Sequence, residues 1–396
     1  MSTPQETYRF SKSPDERRIT IRSEPPIGLR QVILRLEQDG AAGSRSEALT
    51  SALEDLRLQE ADPALRRTDI SGRDARLDRF VLSEDELSQM GRMDPQRWPR
   101  FVEYRYKFKI YPRRRILNPF PIVLCVEPTS ICNLRCQMCF QSDATFSQEK
   151  EFLGRMDPAL FKRVVDEMAE NRCDSLVIAS RGEPTLHPQF AELLAYAAPR
   201  ILDVKVNTNA TRLDEKLCHR ILEAEPGILV FSIDSADAAQ YEEIRKGARF
   251  ESVLENIRRF RDIRSAHYPH SRTLTRVSGT IFRADQDSER IRSFWSEYAD
   301  QVALHGAWPF WDSYSAPLSE VTAPCAVLWE RMYLWWDGVC NPCDVDYKSH
   351  LALGKAGKTC TIKEIWLGQE ARRQRQIHEA MKKNTLTPCN RCSGIA

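Results

Sequence analysis

The stretch Cys132-Asn-Leu-Arg-Cys136-Gln-Met-Cys139-Phe140 follows an apolar run at residues 121–126 and places three cysteines at C-x3-C-x2-C spacing. The apolar run predicts a buried strand. We therefore expect the cysteines on a loop at its carboxyl end, where parallel α/β sheets hold their functional sites. Thiolates are soft ligands that select zinc, copper(I) or iron–sulfur clusters. Because a closed zinc site needs four ligands and this loop offers three, the spacing favours a cluster with one open position.

The composition of the 396-residue chain is that of an ordinary globular protein, with 42% hydrophobic and 29% charged residues. Its length predicts two or three domains. A net charge of +2 gives no reason to expect nucleic acid or an anionic membrane as partner. The first residues are polar and no apolar run approaches a membrane span, so neither a signal peptide nor a membrane segment is expected. Twelve cysteines without an export signal are expected as metal ligands or reduced thiols in the cytoplasm.

From residue 121 onward, strand-like and helix-like segments alternate. Strands are predicted near 121–127, 175–179, 204–206, 228–233, 276–282 and 301–308, and helices near 157–168, 188–198, 214–224, 237–246, 250–264 and 286–298. This alternation indicates βαβ units and a parallel sheet. Six such units predict an α/β fold with a partial (β/α)6 TIM-like barrel, shorter than the full eight-fold one.

The preceding residues predict a helical N-terminal extension over 1–115. Residues 1–26 are expected as a loosely held polar tail, and helices are predicted near 46–56, 83–90 and 96–107. The run 107–115 is basic with interleaved aromatic residues, which is typical of a solvated face. Alternatively, this basic run is a binding site for an anionic substrate such as a phosphate or a nucleotide sugar.

The cysteine loop resembles the signature of radical S-adenosylmethionine (SAM) enzymes, although Met138 stands where many members have an aromatic residue. The resemblance implies a [4Fe–4S] cluster on Cys132, Cys136 and Cys139, with SAM bound to the fourth iron. It also implies an open (β/α)6 barrel, a 5′-deoxyadenosyl radical that takes a hydrogen atom from substrate, and a flavodoxin- or ferredoxin-type electron donor.

Segments at the predicted strand ends resemble the SAM-binding elements of the same family. Arg181-Gly182-Glu183 is similar to the Gly-Gly-Glu turn that holds the SAM amino group. Arg181 replaces its first glycine, and we expect its guanidinium to pair with a carboxylate of SAM or substrate. Arg245 is likewise expected to meet a carboxylate. The resemblance implies cofactor contacts at Phe140, Arg181, Gly182, Glu183, Asn207, Asn209, Ser232 and Asp234. Taken singly, Asn, Ser and Asp also end strands as ordinary turn formers.

A second group of cysteines lies near the C-terminus, and its spacing resembles the SPASM or shorter twitch extension of radical SAM enzymes. The resemblance implies a second, fully protein-bound [4Fe–4S] cluster on Cys325, Cys343, Cys389 and Cys392. On chemistry alone, tetrahedral zinc suits these four thiolates equally. Cys340 is interpreted as a spare ligand, a buried thiol or a hydrogen-atom donor to a substrate radical. The predicted domains are 1–115, 116–312 and 313–396.

The leading functional hypothesis is hydrogen abstraction from a small polar metabolite, a sugar or nucleotide sugar, followed by oxidation, epimerisation or elimination. The aromatic patch Trp308-Pro-Phe-Trp311 is expected to stack on a sugar ring. One alternative is modification of a ribosomally made peptide, which is disfavoured because residues 1–115 show no strand pattern for a peptide-binding winged-helix domain. Another is a non-catalytic, zinc-bound structural protein.

Overall fold

The computed structural model describes residues 18–21, 27–41, 45–62, 79–306 and 313–393. Its strands are β1 (Arg18–Ile21), β2 (Val123–Val126), β3 (Arg135–Cys136), β4 (Ser175–Ile178), β5 (Asp203–Thr208), β6 (Ile228–Ser232), β7 (Arg245–Lys246), β8 (Leu274–Ile281), β9 (Gln301–Gly306), β10 (Arg331–Leu334), β11 (Val339–Asn341) and β12 (Gly354–Lys355). Ten of them form one sheet in the order β1-β9-β8-β6-β5-β4-β2-β10-β11-β12, and β3 pairs with β7.

Several helices begin at capping residues that the sequence makes recognisable. They are α1 (Leu29–Ala41), α2 (Glu47–Ala61), α3 (Glu84–Met90), α4 (Trp98–Arg114), α5 (Ala144–Ser147), α6 (Pro158–Glu170), α7 (Phe190–Ala197), α8 (Glu215–Ala224), α9 (Ala238–Ile244), α10 (Phe250–His267), α11 (Ser288–Trp295), α12 (Val327–Glu330), α13 (Ile362–Trp366) and α14 (Gln369–Glu379). Asp157, for example, accepts from the N–H of Ala159 at 2.9 Å, with Pro158 at the first helical position.

Within the described ranges, no helix combines the length and apolarity needed to cross a membrane.

The predicted partial barrel is confirmed. Strands β2, β4, β5, β6, β8 and β9 pair in parallel in this order, for instance with Val123 opposite Ser175. The sheet nevertheless extends further at both edges. Strand β10, from the region expected as a separate small domain, pairs in parallel with β2, and β1, from the expected polar tail, pairs antiparallel with β9. The rest of that tail lies outside the described residues.

The two faces of the sheet pack against different helices because side chains alternate along each strand. On β2, Leu124 and Val126 join the main apolar core with residues of α6, α7, α8 and α10. Val123 and Cys125 instead pack with the N-terminal helices α1, α2 and α4, as Val177 of β4 also does. The N-terminal extension is therefore part of the barrel's packing and covers the sheet face opposite the main core.

Buried charges join the extension to the strands. Lys109 was expected within a solvated basic run, but its side chain is 2% exposed. Its Nζ lies 2.6 Å from Oε2 of Glu86, whose Oε1 lies 2.5 Å from Nε of Arg105. That prediction was wrong because α4 continues through the run to Arg114. Other contacts reach the amino ends of the strands: Asp85 pairs with Arg276, and Gln89 donates to Asp203. The carboxyl ends of the strands are thus left for the cysteine loop.

Candidate active site

The cysteine loop is held by a short antiparallel ribbon in which Cys136 of β3 lies opposite Arg245 of β7. Each thiol sulfur accepts a hydrogen bond: Cys132 from the N–H of Leu134 at 3.4 Å, Cys139 from the N–H of Gln141 at 3.5 Å, and Cys136 from Nη1 of Arg245 at 3.8 Å. The loop therefore presents three oriented sulfurs at the carboxyl end of β2.

Burial raises the pKa of all three thiols, that of Cys132 to about 12, and the sulfurs disfavour one another's ionisation because they lie close together. Binding to iron deprotonates such thiols outright. Among the described residues, no three Cys, His, Asp or Glu side chains converge on the position of a single ion. Three thiols on one loop are the donor set that a [4Fe–4S] cluster with one open iron requires, because each thiolate of such a cluster binds a different iron.

The turn after β4 packs directly on the segment that leads into the cysteine loop. At Gly182, a Cβ atom would lie 2.1 Å from the carbonyl oxygen of Thr129, so only glycine fits this close approach. The next N–H, of Glu183, donates to the carbonyl of Ile131 at 3.0 Å. The turn thereby brings Glu183 beside Cys132.

Glu183 links the carboxyl ends of β4 and β5. Its Oε1 accepts from Oγ1 of Thr185 at 2.6 Å and Oγ1 of Thr208 at 2.7 Å, and its Oε2 accepts from the N–H of Asn209 at 2.7 Å. Burial raises the pKa of this carboxyl group in spite of these donors. The amide of Asn209 is itself bonded, because its Nδ2 donates to Oδ1 of Asn133 at 3.0 Å.

Several buried polar atoms at the strand ends and just after the cysteine loop have no hydrogen-bond partner among the residues that the structure describes. They are Oγ of Ser180, Oδ1 of Asn207 and Oε1 of Gln141. Buried polar groups in folded proteins are nearly always paired, so such atoms indicate a place where a polar ligand completes the bonding. Ser232 ends β6 on the same edge and is half-buried. This arrangement fits the amino, carboxylate and ribose groups of SAM.

Arg181 does not have the role that the sequence predicted, which was to pair with a carboxylate of SAM or substrate. Its guanidinium is 3% exposed and pairs with Glu127, which directly follows β2 and is fully buried. The expectation that Arg181 meets a carboxylate of SAM or substrate was wrong because the protein supplies that carboxylate. Sequence analysis missed Glu127, although a carboxylate at the end of a buried strand is a recognisable signal.

Phe140 packs within an aromatic cluster that also contains Phe146 and Tyr347. Its ring stacks on that of Tyr347, with 5.1 Å between the centroids and 24° between the planes. The predicted cofactor contact of Phe140 stays a prediction. The ring's observed neighbour belongs to the C-terminal cysteine region.

Asp234 and Arg245 form a buried ion pair, with 2.7 Å between Oδ2 and Nε. Oδ1 of Asp234 accepts from the N–H of Thr280 at 2.7 Å, which fixes the carboxylate across β6 and β8. Arg245 thus meets a carboxylate as expected, and its Nη1 also reaches the sulfur of Cys136. The contact with Cys136 was not anticipated, since the pairing of β3 with β7 lacks a clear pattern over two residues.

The four C-terminal cysteines lie close enough for their sulfurs to influence the pKa of Cys325, Cys343 and Cys389. Burial, together with the smaller effect of the neighbouring sulfurs, raises the pKa of Cys325 to about 11 and that of Cys389 to about 12. Cys343 and Cys392 are among these neighbours. The N–H of Cys325 donates to Nδ1 of His378 at 3.1 Å, so that ring nitrogen carries no proton.

Cys340 lies in the main apolar core and is fully buried. Its thiol meets the carbonyl of Gly338 at 3.8 Å. This position agrees with the buried-thiol interpretation and not with a hydrogen-atom donor facing substrate. The aromatic patch Trp308-Pro-Phe-Trp311 lies outside the described residues.

Comparison with known proteins identifies both cysteine regions. Residues 126–272 match the radical SAM superfamily, and residues 325–393 match SPASM, an iron–sulfur cluster-binding domain. The mycofactocin maturase MftC of Mycobacterium tuberculosis is 30% identical over 134 residues, which are 34% of this chain and 33% of the maturase. The dTDP-4-amino-4,6-dideoxy-D-glucose ammonia-lyase of Streptomyces venezuelae is 29% identical over 171 residues, which are 41% of this chain and 33% of the lyase.

Among solved structures, Streptococcus suis SuiB bound to the precursor peptide SuiA has a TM-score of 0.51 at 13% identity, covering 84% of each chain, which shows a common fold. The chain spans about a third of the length of the curated relatives that it matches. The cofactors are accordingly a SAM-binding [4Fe–4S] cluster, an auxiliary [4Fe–4S] cluster and SAM itself. The chain contains a radical SAM superfamily domain followed by a SPASM iron–sulfur cluster-binding domain.

Proposed function

We propose that this protein is an enzyme that abstracts a hydrogen atom from a small polar metabolite, a sugar or nucleotide sugar. The observation that carries the proposal is the set of unpartnered polar atoms on Ser180, Asn207 and Gln141 beside the three oriented sulfurs. When bound, the cluster and SAM supply a 5′-deoxyadenosyl radical for that abstraction.

The chain's own residues hold and orient these groups. Cys132, Cys136 and Cys139 would supply the thiolates that hold the cluster at which SAM binds. Glu183 fixes the turn after β4 against β5, so that the backbone of both strand ends keeps its place when SAM enters. The N-terminal helices pack against Val123 and Cys125 on the sheet face opposite the main core, and Asp85 and Gln89 contact the amino ends of the strands.

The sugar assignment is supported by the similarity to the dTDP-sugar ammonia-lyase, whose match covers 41% of this chain. That enzyme's name specifies a nucleotide-linked amino sugar. A related substrate here would undergo oxidation, epimerisation or elimination after loss of hydrogen. A flavodoxin- or ferredoxin-type protein is the proposed electron donor.

Modification of a peptide is the second candidate function, supported by the 30% identity to a maturase. The described part of the N-terminal extension is helical apart from β1, and β1 is already paired with β9. Because the described part of the extension contributes the single strand β1, it does not form the winged-helix domain that a peptide-modifying enzyme was expected to carry, which favours the metabolite proposal.

Deuterium transfer separates these candidates. The reconstituted enzyme is incubated with SAM, dithionite and dTDP-sugars deuterated at the ring carbons, and 5′-deoxyadenosine is analysed by mass spectrometry. We expect deuterium in 5′-deoxyadenosine with a sugar substrate. Deuterium incorporation from a labelled peptide encoded beside the gene, with none from any sugar, would overturn the sugar proposal.

A further inference from the structure

A buried ion pair stands beside the turn that carries Gly182. Nε and Nη2 of Arg181 donate to Oε2 and Oε1 of Glu127 at 2.8 and 2.6 Å. Two parallel bonds of this kind require the planar fork of a guanidinium, which a lysine ammonium cannot reproduce. The pair joins the carboxyl end of β2 to the turn after β4.

Both partners of the ion pair also contact the C-terminal domain. Nη1 of Arg181 donates to the carbonyl oxygen of Tyr347 at 2.9 Å, and its guanidinium lies 4.1 Å from the ring centroid of Trp335. Oε1 of Glu127 accepts from the N–H of Trp336 at 3.4 Å. Every donor nitrogen of this guanidinium is therefore directed at the protein, and one of them at the cysteine-bearing C-terminal segment.

Tyr347 connects this ion pair to the first cysteine loop. It follows Cys343 by four residues, and its ring stacks on Phe140, which directly follows Cys139. Its hydroxyl group donates to Oδ2 of Asp143 at 2.7 Å. Tyr347 is thus held by its backbone at Arg181 and by its side chain at the segment after Cys139.

We propose that Arg181 is a positioning residue that, through Glu127 and Tyr347, fixes the auxiliary cluster domain relative to the SAM-binding cluster. The inference rests on the proposed function, because it takes the two cysteine groups to be the two clusters of one enzyme. It assigns a purpose to the arginine that replaces the first glycine of the expected turn. A glycine there would deprive the buried carboxylate of Glu127 of its cationic partner and would remove the hydrogen bond from Arg181 to the carbonyl of Tyr347.

The test is Arg181→Lys in the reconstituted, two-cluster protein, because lysine keeps the charge and loses the fork. Hydrogen–deuterium exchange is measured over residues 343–351, where the N–H groups of His350 and Leu351 donate to Asp346 at 2.9 and 2.7 Å. We expect at least tenfold faster exchange in this segment, with iron content unchanged. Pulsed electron paramagnetic resonance of the two reduced clusters should show a broader distribution of their dipolar coupling.

The matched control is Arg264→Lys, since Arg264 forms a comparable two-bond ion pair with Asp300, at 2.6 and 3.0 Å, that does not involve the C-terminal domain. It should leave exchange over 343–351 and the dipolar coupling unchanged. The proposal is overturned by wild-type exchange in Arg181→Lys, or by an equal increase in the control.

A second variant covers the case in which Arg181→Lys does not fold. Glu127→Gln keeps the arginine but removes the charge that orients it, and we expect the same local increase in exchange. Unchanged hydrogen–deuterium exchange over residues 343–351 in Glu127→Gln would also overturn the proposed positioning role of Arg181. Failure of the proposed function looks different: the wild-type protein would then lack the two-cluster iron content or would not cleave SAM under dithionite.

Discussion

Nη1 of Arg245 donates to Sγ of Cys136 across 3.8 Å, and both residues are buried. The register of β3 and β7 sets this contact, because it places the two residues directly opposite each other. A cation held near a cluster thiolate stabilises the more negative, reduced state of the cluster, and burial strengthens the effect. The negative charge of Asp234, which is paired with Arg245, destabilises the reduced state of the cluster.

The reduction potential of the first cluster should respond to both partners with opposite signs. Arg245→Met should lower the midpoint potential by on the order of 60 mV, a tenfold change in a one-electron equilibrium. Asp234→Asn should raise it. The measurement is a redox titration followed by electron paramagnetic resonance without SAM, with Arg57→Met on helix α2 of the N-terminal extension as a control. Shifts of the same sign in the two variants would contradict this account.

Glu183→Ala and Asn209→Ala should weaken SAM binding while the cluster content stays intact. Glu183 holds the ends of β4 and β5 together through Thr208 and the N–H of Asn209, so its loss frees both strand ends. Each variant should lose roughly 1–3 kcal/mol of binding free energy, as measured by calorimetry. Unchanged affinity in both would remove these residues from the SAM site.

Replacing Cys132, Cys136 and Cys139 together by Ala should remove about half of an expected total of about eight irons per chain. SAM cleavage under dithionite should disappear, because no other cysteine group leaves an iron open for SAM. Cys173→Ala is the control, since this buried thiol packs in the apolar core. Residual SAM cleavage in the triple variant would disprove the assignment of the first cluster.

Cys389→Ala should separate radical formation from the fate of the substrate. The second cluster is expected to have all its irons bound by the protein, so its loss should leave uncoupled SAM cleavage largely intact while product formation falls steeply. The measurement compares 5′-deoxyadenosine and product in one reaction, after solubility and the first cluster have been checked. Equal loss of both would mean that the second cluster is needed to assemble the active site, and retention of both would make it a remote structural site.

Glu86 should make the N-terminal extension sensitive to acid. Burial would raise its pKa, but the charges of Lys109 and Arg105 lower it to about 2, against 4.5 in the unfolded chain. Because the folded pKa is depressed, the stabilisation is complete above pH 4.5 and is lost as the pH falls toward 2. At pH 7, Glu86→Gln should cost roughly 3–5 kcal/mol, because it leaves buried cations unpaired.

Urea unfolding of the wild type and of Glu86→Gln at several pH values tests this expectation. The difference in unfolding free energy should shrink below about pH 4.5. The control is Glu37→Gln, whose partner Arg57 is 54% exposed, so that its loss should cost little. A difference independent of pH would show that the carboxylate charge of Glu86 does not stabilise the extension.

Local patterns were sufficient to predict the six parallel strands and the cysteine groups, because short apolar runs and cysteine spacings lie within short windows of sequence. Helix starts at Ser46 and Asp157 followed from capping chemistry in the same way. The barrel and the order of the strand-end polar residues could therefore be inferred without coordinates.

Long-range contacts could not be predicted from such windows. Arg181 pairs with Glu127, which is 54 residues away in sequence, and donates to the carbonyl of Tyr347, which is 166 residues away. The pairing of β10 with β2 was likewise missed, because the short apolar run of β10 was interpreted as part of a cluster domain. A basic run with aromatics predicts a solvated face, and only the fold places Lys109 against a buried carboxylate.

The pairing of β10 with β2 has a consequence for the order in which the nascent protein can fold. Arg331 lies opposite Val123, so during translation the barrel edge at β2 stays unpaired until about two hundred further residues have left the ribosome. An open edge of a parallel sheet is a template for association with other chains. A product terminated before residue 331 should therefore aggregate during synthesis, even though its six-stranded barrel sequence is complete.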